Sequence, residues 1–563
     1  MYIFTKQFHS QAYFITLILL AMSIPLSRFT MSVFQFTLLG LWIWSGFSFE
    51  VVFRIFRRVG VIKGLWYFLT YMLRLTRANF VDKFELFFRN RVAVIVASIF
   101  LIHIIGLLHT VDFQYAMKDL RTKLPLLLLP VVFVSMEKLT VKRIKILLLC
   151  YVLAVFIGSM FSLAAYLRQD YLDIRSISLF ISPVRFSLNI VFSFFILAWY
   201  VFKDHDMKFV LRIPLALVMV WFIVFLVILE SIIGMLGILI ITIGILLYYV
   251  LTIKYLALRL ALVILLIGLP IISFIYVRSI VLELATPPKV DFASLPTHTE
   301  LGNPYRHDTV NFGVEDGRYI GLYLAEDELK EAWNKRSNID FMAKDKADQL
   351  IQYTIIRYLN SLDLPKDASG VESLTDQDIR LIEMGVANSN YMNTPSIRIR
   401  ISKILMGYWQ YINGNDPSGS SIMQRIEHLK ASVIIIKNNF WLGVGTGDLP
   451  MIFEETYEQM QSPLEKQWQW RSHNQYLSVF IAFGVFGFLW FLFTLIYPFF
   501  VLQKYRNYFY CVFLGLMLLS MFSEDTIESQ DGVTLFAYFN SLFLFAVKSR
   551  KESAKTTASK VFD

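Results

Sequence analysis

A histidine with charged and amide neighbours, in Arg471-Ser472-His473-Asn474, stands where a long polar segment meets the apolar run NQYLSVFIAFGVFGFLWFLFTLIYPFF. About 20 apolar residues span the hydrocarbon core of a bilayer, so this run reads as a transmembrane helix and His473 as a residue at its edge. There an imidazole that titrates near neutrality can take a proton, between a lipid-borne donor and a water-borne acceptor. On spacing alone, the position suits better a histidine that only anchors a helix end. Arg185 poses a similar choice. It follows Pro183 in SPVRFSLNI, at the start of another apolar run, where an arginine is costly and tends to pair with an anion. A guanidinium grips phosphate through two parallel N–H bonds, which an ammonium cannot do. A lipid headgroup would satisfy it as well as a diphosphate ligand.

Such residues need a membrane to be positioned by, and the composition supplies one. Of 563 residues, 56% are hydrophobic and 17% charged, against about 25% charged in an average soluble domain. The chain is a multi-pass membrane protein. Its net charge of +10 gives no reason to invoke nucleic acid, because basic residues gather on the cytoplasmic side of membrane proteins. Cys150 and Cys511 both fall in apolar segments and suggest neither a disulfide nor a metal site. No His/Asp/Glu cluster has zinc or magnesium spacing, so no metal and no cofactor is expected. The first apolar run, Tyr13 to Leu26, is expected to stay as a helix rather than leave as a signal peptide, since more runs follow directly.

Apolar windows near 12–27, 30–49, 92–109, 124–136, 145–167, 184–202, 210–229, 232–250, 257–277, 474–500, 508–523 and 533–547 predict an all-α polytopic protein of about twelve transmembrane helices. The stretch 61–73, flanked by Lys63, Arg74 and Arg77, reads as an interfacial helix. Nine basic residues lie between Arg54 and Arg91, which puts that segment in the cytoplasm and segment 278–473 outside. The expected organisation is a membrane domain over 1–277, a mainly helical external loop over 278–473, three further spans over 474–547 and a cytoplasmic tail over 548–563.

Six of the seven basic residues in the short external segments fall in two places: Lys118, Arg121 and Lys123, then Arg168, Arg175 and Arg185. Positive charge outside opposes correct insertion, so an anionic ligand at the outer leaflet is one reason for it; headgroup phosphate is the other. The last external loop, SMFSEDTIESQDGV, carries Glu524, Asp525, Glu528 and Asp531 and no basic residue. These acids can hold the arginines or orient His473, or can be a solvated face. His103 sits within an apolar run and suggests an interhelical hydrogen bond. The glycine run NNFWLGVGTGD lacks the lysine of a phosphate-binding loop and reads as a tight backbone path at the membrane surface. In the long loop, LAEDELKEAWNKRSNIDFMAKDKADQLIQYTIIRYLNSL reads as helix with a break near Asn338, SLTDQDIRLIEMGV as a helix capped by Ser373, and SIRIRISKILMGYWQYI as a basic amphipathic helix at the membrane surface.

RIEHLKASVIIIKNNFWLGVGTGD followed by WRSHNQYLSVFIAFGVFGFLWFL resembles the signature of the O-antigen ligase and polymerase superfamily. DLRTKLPLLLLP, SPVRFSLNI and SEDTIESQDGV resemble its other segments in the same order, whereas roughly 285–395 lies outside the family core. The resemblance implies a metal-independent, inverting glycosyltransferase of the bacterial inner membrane, with its active site facing the periplasm. Its donor would be a glycan on a polyprenyl diphosphate such as undecaprenyl diphosphate. Its acceptor would be a sugar of the lipid A core (ligase, lipopolysaccharide biosynthesis), another repeat unit (polymerase) or a protein. By the match His473 takes the essential histidine's position, and Arg185 and Arg425 those of phosphate-facing arginines. Arg121 and Arg471 are further donor-binding candidates, with Glu524, Glu528 and Asn474 in support. One departure stands out: Ser231 is followed by Ile232, where members commonly carry an arginine. A transporter or lipid flippase is the reading from another class, but no inverted repeat or paired broken helices support it.

Overall fold

The computed structural model describes residues 6–168, 177–287, 289–392, 397–414 and 416–547. Arg175 and the tail from Lys548 lie outside the described residues. Eleven helices come first: α1 (Lys6–Ser23), α2 (Arg28–Ile43), α3 (Phe49–Arg89), α4 (Arg91–Ile105), α5 (Phe113–Lys123), α6 (Pro125–Ser135), α7 (Val141–Tyr166), α8 (Pro183–Phe202), α9 (Phe209–Ile228), α10 (Ile232–Thr252) and α11 (Leu256–Ala285). Among the described residues, seven helical stretches are long and apolar enough to cross a membrane: 91–109, 141–166, 183–202, 209–228, 232–252, 256–285 and 475–501. The other five apolar windows form shorter helices. Of these, α6 begins at Pro125, directly after α5, and runs only to Ser135, while the helix Gln530–Ser541 continues as a π-helix over Leu542–Ala546. The segment 61–73 is helical within α3, after a kink at Gly60, whose φ of 74° is open to glycine and strained for other residues.

The membrane core is unusually aromatic. Tyr151 on α7 packs edge-on against Phe539, and Phe192 on α8 does the same, while the Tyr151 hydroxyl donates to Asn189 Oδ1 at 2.6 Å. Such interhelical polar bonds fix helix rotation where lipid supplies no hydrophobic drive.

The external segment builds a core of its own around Leu329, Trp333, Ile355, Leu359 and Ile382, distinct from the membrane core. It is less helical than its sequence suggests. Four short strands, β1 (Arg306–Asp308), β2 (Val314–Glu315), β3 (Arg318–Tyr319) and β4 (Gly321–Leu324), pair antiparallel as β1–β4 and β2–β3. Then come α12 (Glu326–Arg336), α13 (Ile351–Ser361), α14 (Ala368–Glu372) and α15 (Asp376–Glu383). The break expected near Asn338 widens to residues 337–350, because Ser337 and Asp340 bond the backbone in turns instead. Ser373 closes α14. The capping box of α15 belongs to Thr375 and Asp378, whose side chains bond each other's backbone N–H.

The basic helix is α16 (Ile397–Ile412), tied to the end of α11 by a bidentate Arg398–Glu283 pair. After it follow α17 (Ser421–Asn438), α18 (Leu449–Gln459), α19 (Gln475–Val501), α20 (Tyr508–Ser520) and α21 (Gln530–Ser541).

Candidate active site

Two glycine-dependent features bring α17, α4 and α19 together. Helix α19 is broken at Gly484 (φ 62°), and the glycine run after α17 fills the break. Val444 N–H donates to Ile481 O and Gly445 N–H to Ala482 O, both at 2.9 Å, while Val485 N–H donates to Phe440 O. Irregular backbone at membrane depth persists only where its polar groups are met by protein, as these are. A Cβ on Gly443 would sit 2.4 Å from the Ala482 carbonyl carbon, so only glycine allows this approach. The run lies against a broken helix, and two of its N–H groups are spent there instead of on a phosphate. Asp448 then caps the entrance to α5, accepting from Val111 and Asp112 N–H at 2.8–2.9 Å.

His103 faces this junction, but its Nδ1 bonds Ile99 O of its own helix at 2.8 Å and its ring lies edge-on to Phe483. No interhelical side-chain bond is made by it among the described residues; its carbonyl accepts from Thr446 Oγ1 of the glycine run at 2.6 Å.

Above the junction the acidic loop 521–529 folds inward. Glu524 is 8% exposed, and its Oε1 meets Arg425 Nη2 of α17 at 2.5 Å. Its Oε2 lies 3.2 Å from Arg185 Nη1 at the start of α8 and 3.8 Å from His473 Nδ1, the latter an ion-pair distance too long for a direct hydrogen bond. Arg185 also donates through Nη2 to Asp525 O at 2.8 Å. The local sequence explains the aim: Ser182 caps α8 and Pro183 occupies its first turn, which fixes the direction of the Arg185 side chain.

Glu528 organises a second centre. It accepts from Lys123 Nζ at 2.7 Å, Gln475 Nε2 at 2.8 Å and Arg471 Nη1 at 3.2 Å, and Asp119 bonds the same lysine at 2.8 Å. Asp525 Oδ1 accepts from Ser478 Oγ at 2.7 Å, and Asp531 pairs with Arg28 at 3.5 Å. The four acids are thus bound into the structure and do not form a solvated face.

Burial raises the cost of ionising Glu524, yet the facing His473 ring and the Arg185 and Arg425 charges outweigh it and hold the carboxyl below its ordinary range. Glu528 follows the same logic more strongly, with Lys123 and Arg471 opposing burial.

His473 itself has a left-handed backbone (φ 48°), which non-glycine residues adopt at some cost and which clusters at functional sites. The turn is held by Asn474, whose Oδ1 caps α19 by accepting from Leu477 N–H at 3.1 Å and whose Nδ2 donates to Phe522 O at 2.9 Å. The His473 ring lies 5.1 Å from that of His428, at 30°, and 6.5 Å from Trp470. His428 bonds Trp468 O through Nε2, and burial pushes its pKa down to about 4, so at neutral pH it is an uncharged stacking partner.

Arg185, Arg425, Arg471, His473, Asn474, Glu524 and Glu528 are therefore brought together. Arg121 is not: it is exposed on α5 and enters no ion pair among the described residues. Lys123, two residues on, takes the place in the cluster, and its spacing of four from Asp119 was the sequence signal for it. His428 carries a similar signal, three residues after Arg425 on one helix face. Beside Ser231, Glu230 is approached at 3.8 Å by Lys403 of α16.

Residues 384–492 match the family model for O-antigen ligase. With that domain and its apolar helices, the chain is a multi-pass membrane enzyme of the glycosyltransferase type. The matched stretch holds α16, α17, the glycine run, His473 and the break in α19; Arg185, Glu524 and Glu528 lie outside it. No curated protein matches the chain.

Proposed function

We propose that the protein is an O-antigen ligase-like transferase that moves a glycan from a polyprenyl diphosphate to an acceptor sugar at the periplasmic face of the bacterial inner membrane. The single observation that carries this reading is Glu524, one buried carboxylate that draws Arg185, Arg425 and the His473 ring to one point. The short apolar helices α1, α2, α6, α20 and α21 complete about twelve spans, with 278–473 outside.

In the reaction, Nδ1 of His473 faces Glu524, which leaves Nε2 for the acceptor hydroxyl. That hydroxyl loses its proton to Nε2 as its oxygen bonds to the anomeric carbon, and the bond from that carbon to the diphosphate oxygen breaks. Displacement from the opposite face inverts the anomeric centre. The departing electron pair stays on the diphosphate, where Arg185 and Arg425 offset it. A guanidinium has five N–H donors, so each arginine can keep Glu524 and still bind phosphate oxygen. Lys403 beside Ser231 supplies positive charge near the position where the family's arginine is absent.

The test is glycan analysis in a deletion strain. Lost attachment with accumulation of free polymer is the expected result. Single-repeat glycans would replace the ligase reading by a polymerase, a missing protein-linked glycan would indicate a protein O-glycosyltransferase, and unchanged glycans would overturn glycan transfer. Orientation is tested by labelling Glu372→Cys and Ser559→Cys in intact cells, with label expected on the first alone.

A further inference from the structure

The external segment and helices α16 and α17 enclose a cavity of about 1000 Å³. That is the upper end of the ~300–1,000 Å³ typical of small-molecule sites, room for several linked sugar rings rather than one. Its walls come mainly from residues 306–357 and 385–391 on one side and 400–422 on the other.

Three features define what it can hold. The first is charge. Five basic and four acidic side chains line it, and several are already paired: Arg357 grips Glu315 bidentately at 2.8 and 2.9 Å, and Lys344 meets Asp348 at 3.0 Å. With no single-sign field, the cavity suits neither a diphosphate nor a nucleic acid.

The second is its uncommitted polar groups. Tyr353 is 50% exposed, and the side chains of Tyr353, Gln349 and Gln410 make no hydrogen bond among the described residues. Planar amides and a phenol are donors and acceptors at once, matched to hydroxyl groups, and the aromatic side chains of Tyr353, Phe312 and Trp409 add apolar surface to the same lining.

The third is position. Ser420 and Ser421 end the cavity at the start of α17, and Arg425 follows Ser421 by four residues on that helix, a rise of about 6 Å. Glu465, in the segment leading to His473, lies in the same wall.

We infer that this cavity is an oligosaccharide subsite, binding uncharged or weakly charged sugar residues that extend away from the bond being made. The inference rests on the proposed glycan transfer for its link to the reaction, and on the cavity alone for its ligand class. The glycan can belong to the donor or to the acceptor; the chemistry is the same.

The experiment uses the full-length protein purified in detergent. Binding of the free oligosaccharide released from the donor, and of that released from the acceptor, is followed by ligand-observed NMR for wild type, Tyr353→Ala/Gln410→Ala, Gln349→Ala and His473→Gln. One of the two oligosaccharides should bind wild type and His473→Gln equally. The double variant should bind it about tenfold more weakly and Gln349→Ala several-fold more weakly. In transfer assays the double variant should raise KM for the substrate carrying that glycan, leave kcat near wild type, and leave a substrate trimmed to one sugar unaffected. A KM rise for the donor or for the acceptor names the source. Unchanged binding and KM in both variants would overturn the subsite. Full transfer by His473→Gln would instead sink the catalytic reading while leaving the binding result intact.

Discussion

Glu524 and Glu528 lie four residues apart in one loop, and each is a buried carboxylate that serves two cations, yet they do different work. Around Glu528 two partners are closed in, the Lys123 side chain at 4% exposed and Gln475 fully buried, while Arg471 is 24% exposed. Around Glu524 two partners open outward, with Arg425 34% and His473 32% exposed at their side chains, while Arg185 is 13% exposed. A satisfied, enclosed ion cluster locks α5, α19 and the loop together. The same chemistry at the rim leaves guanidinium and imidazole edges available to a ligand. Charge pairing alone therefore does not separate the two centres; the imidazole of His473 and the more exposed Arg425 do.

The sharpest way to break this contrast is at the rim. His473→Gln keeps hydrogen bonding but cannot take a proton at neutral pH, and should lower transfer about 10²–10⁴-fold with an unchanged thermal midpoint. Transfer from purified donor in detergent measures it, and a near wild-type rate would remove the base assignment. Chelator in the same assay should leave the wild-type rate unaltered; loss on chelation would end the metal-independent scheme.

At the enclosed centre the effect should move from rate to stability. Lys123→Met leaves Asp119 and Glu528 buried without their shared cation, a loss of about 3–5 kcal/mol, read as a lowered unfolding midpoint. A stable variant that has merely slowed would put Glu528 in the same functional class as Glu524.

Arg185→Lys keeps the charge and loses the fork, and should reduce transfer by about 10² without loss of protein from the membrane. Arg425→Lys should act alike. Normal turnover in the lysine variants would reduce these arginines to anchors.

Acidification gives the smallest change. The Glu524 pKa is depressed on folding, so the stability it contributes is present above its ordinary value of 4.5 and lost as pH falls through the depressed one. The difference in midpoint between wild type and Glu524→Gln should therefore persist from pH 8 to about pH 5 and shrink only below that. Convergence already above pH 5 would show that the arginines do not hold this carboxylate.

The class of the protein and its long apolar helices could be read from the chain because each rests on local pattern, whereas the grouping of Arg185, Arg425 and His473 came from the resemblance of their segments to a family. Apolar length marks a span, and a polar residue at its end marks a boundary. Other features rest on contacts between distant segments. The packing of the glycine run was not legible, because nothing near it announces the break at Gly484 that it fills. Arg121 and Lys123 share one helix and similar flanks, and only packing against Glu528 decides which of them is enclosed. The strands at 306–324 are two to four residues long, too short for alternation to show.

The Arg398–Glu283 pair joins the end of α11 to the start of α16, the two points between which the strands and helices of the external core are strung. Segments whose ends meet in this way can be lengthened, shortened or exchanged with little disturbance to their host. With a hydrophobic core of its own, the external body is in effect a graft. On the proposed reading its walls can change, and the bound glycan with them, while the charges around Glu524 stay as they are.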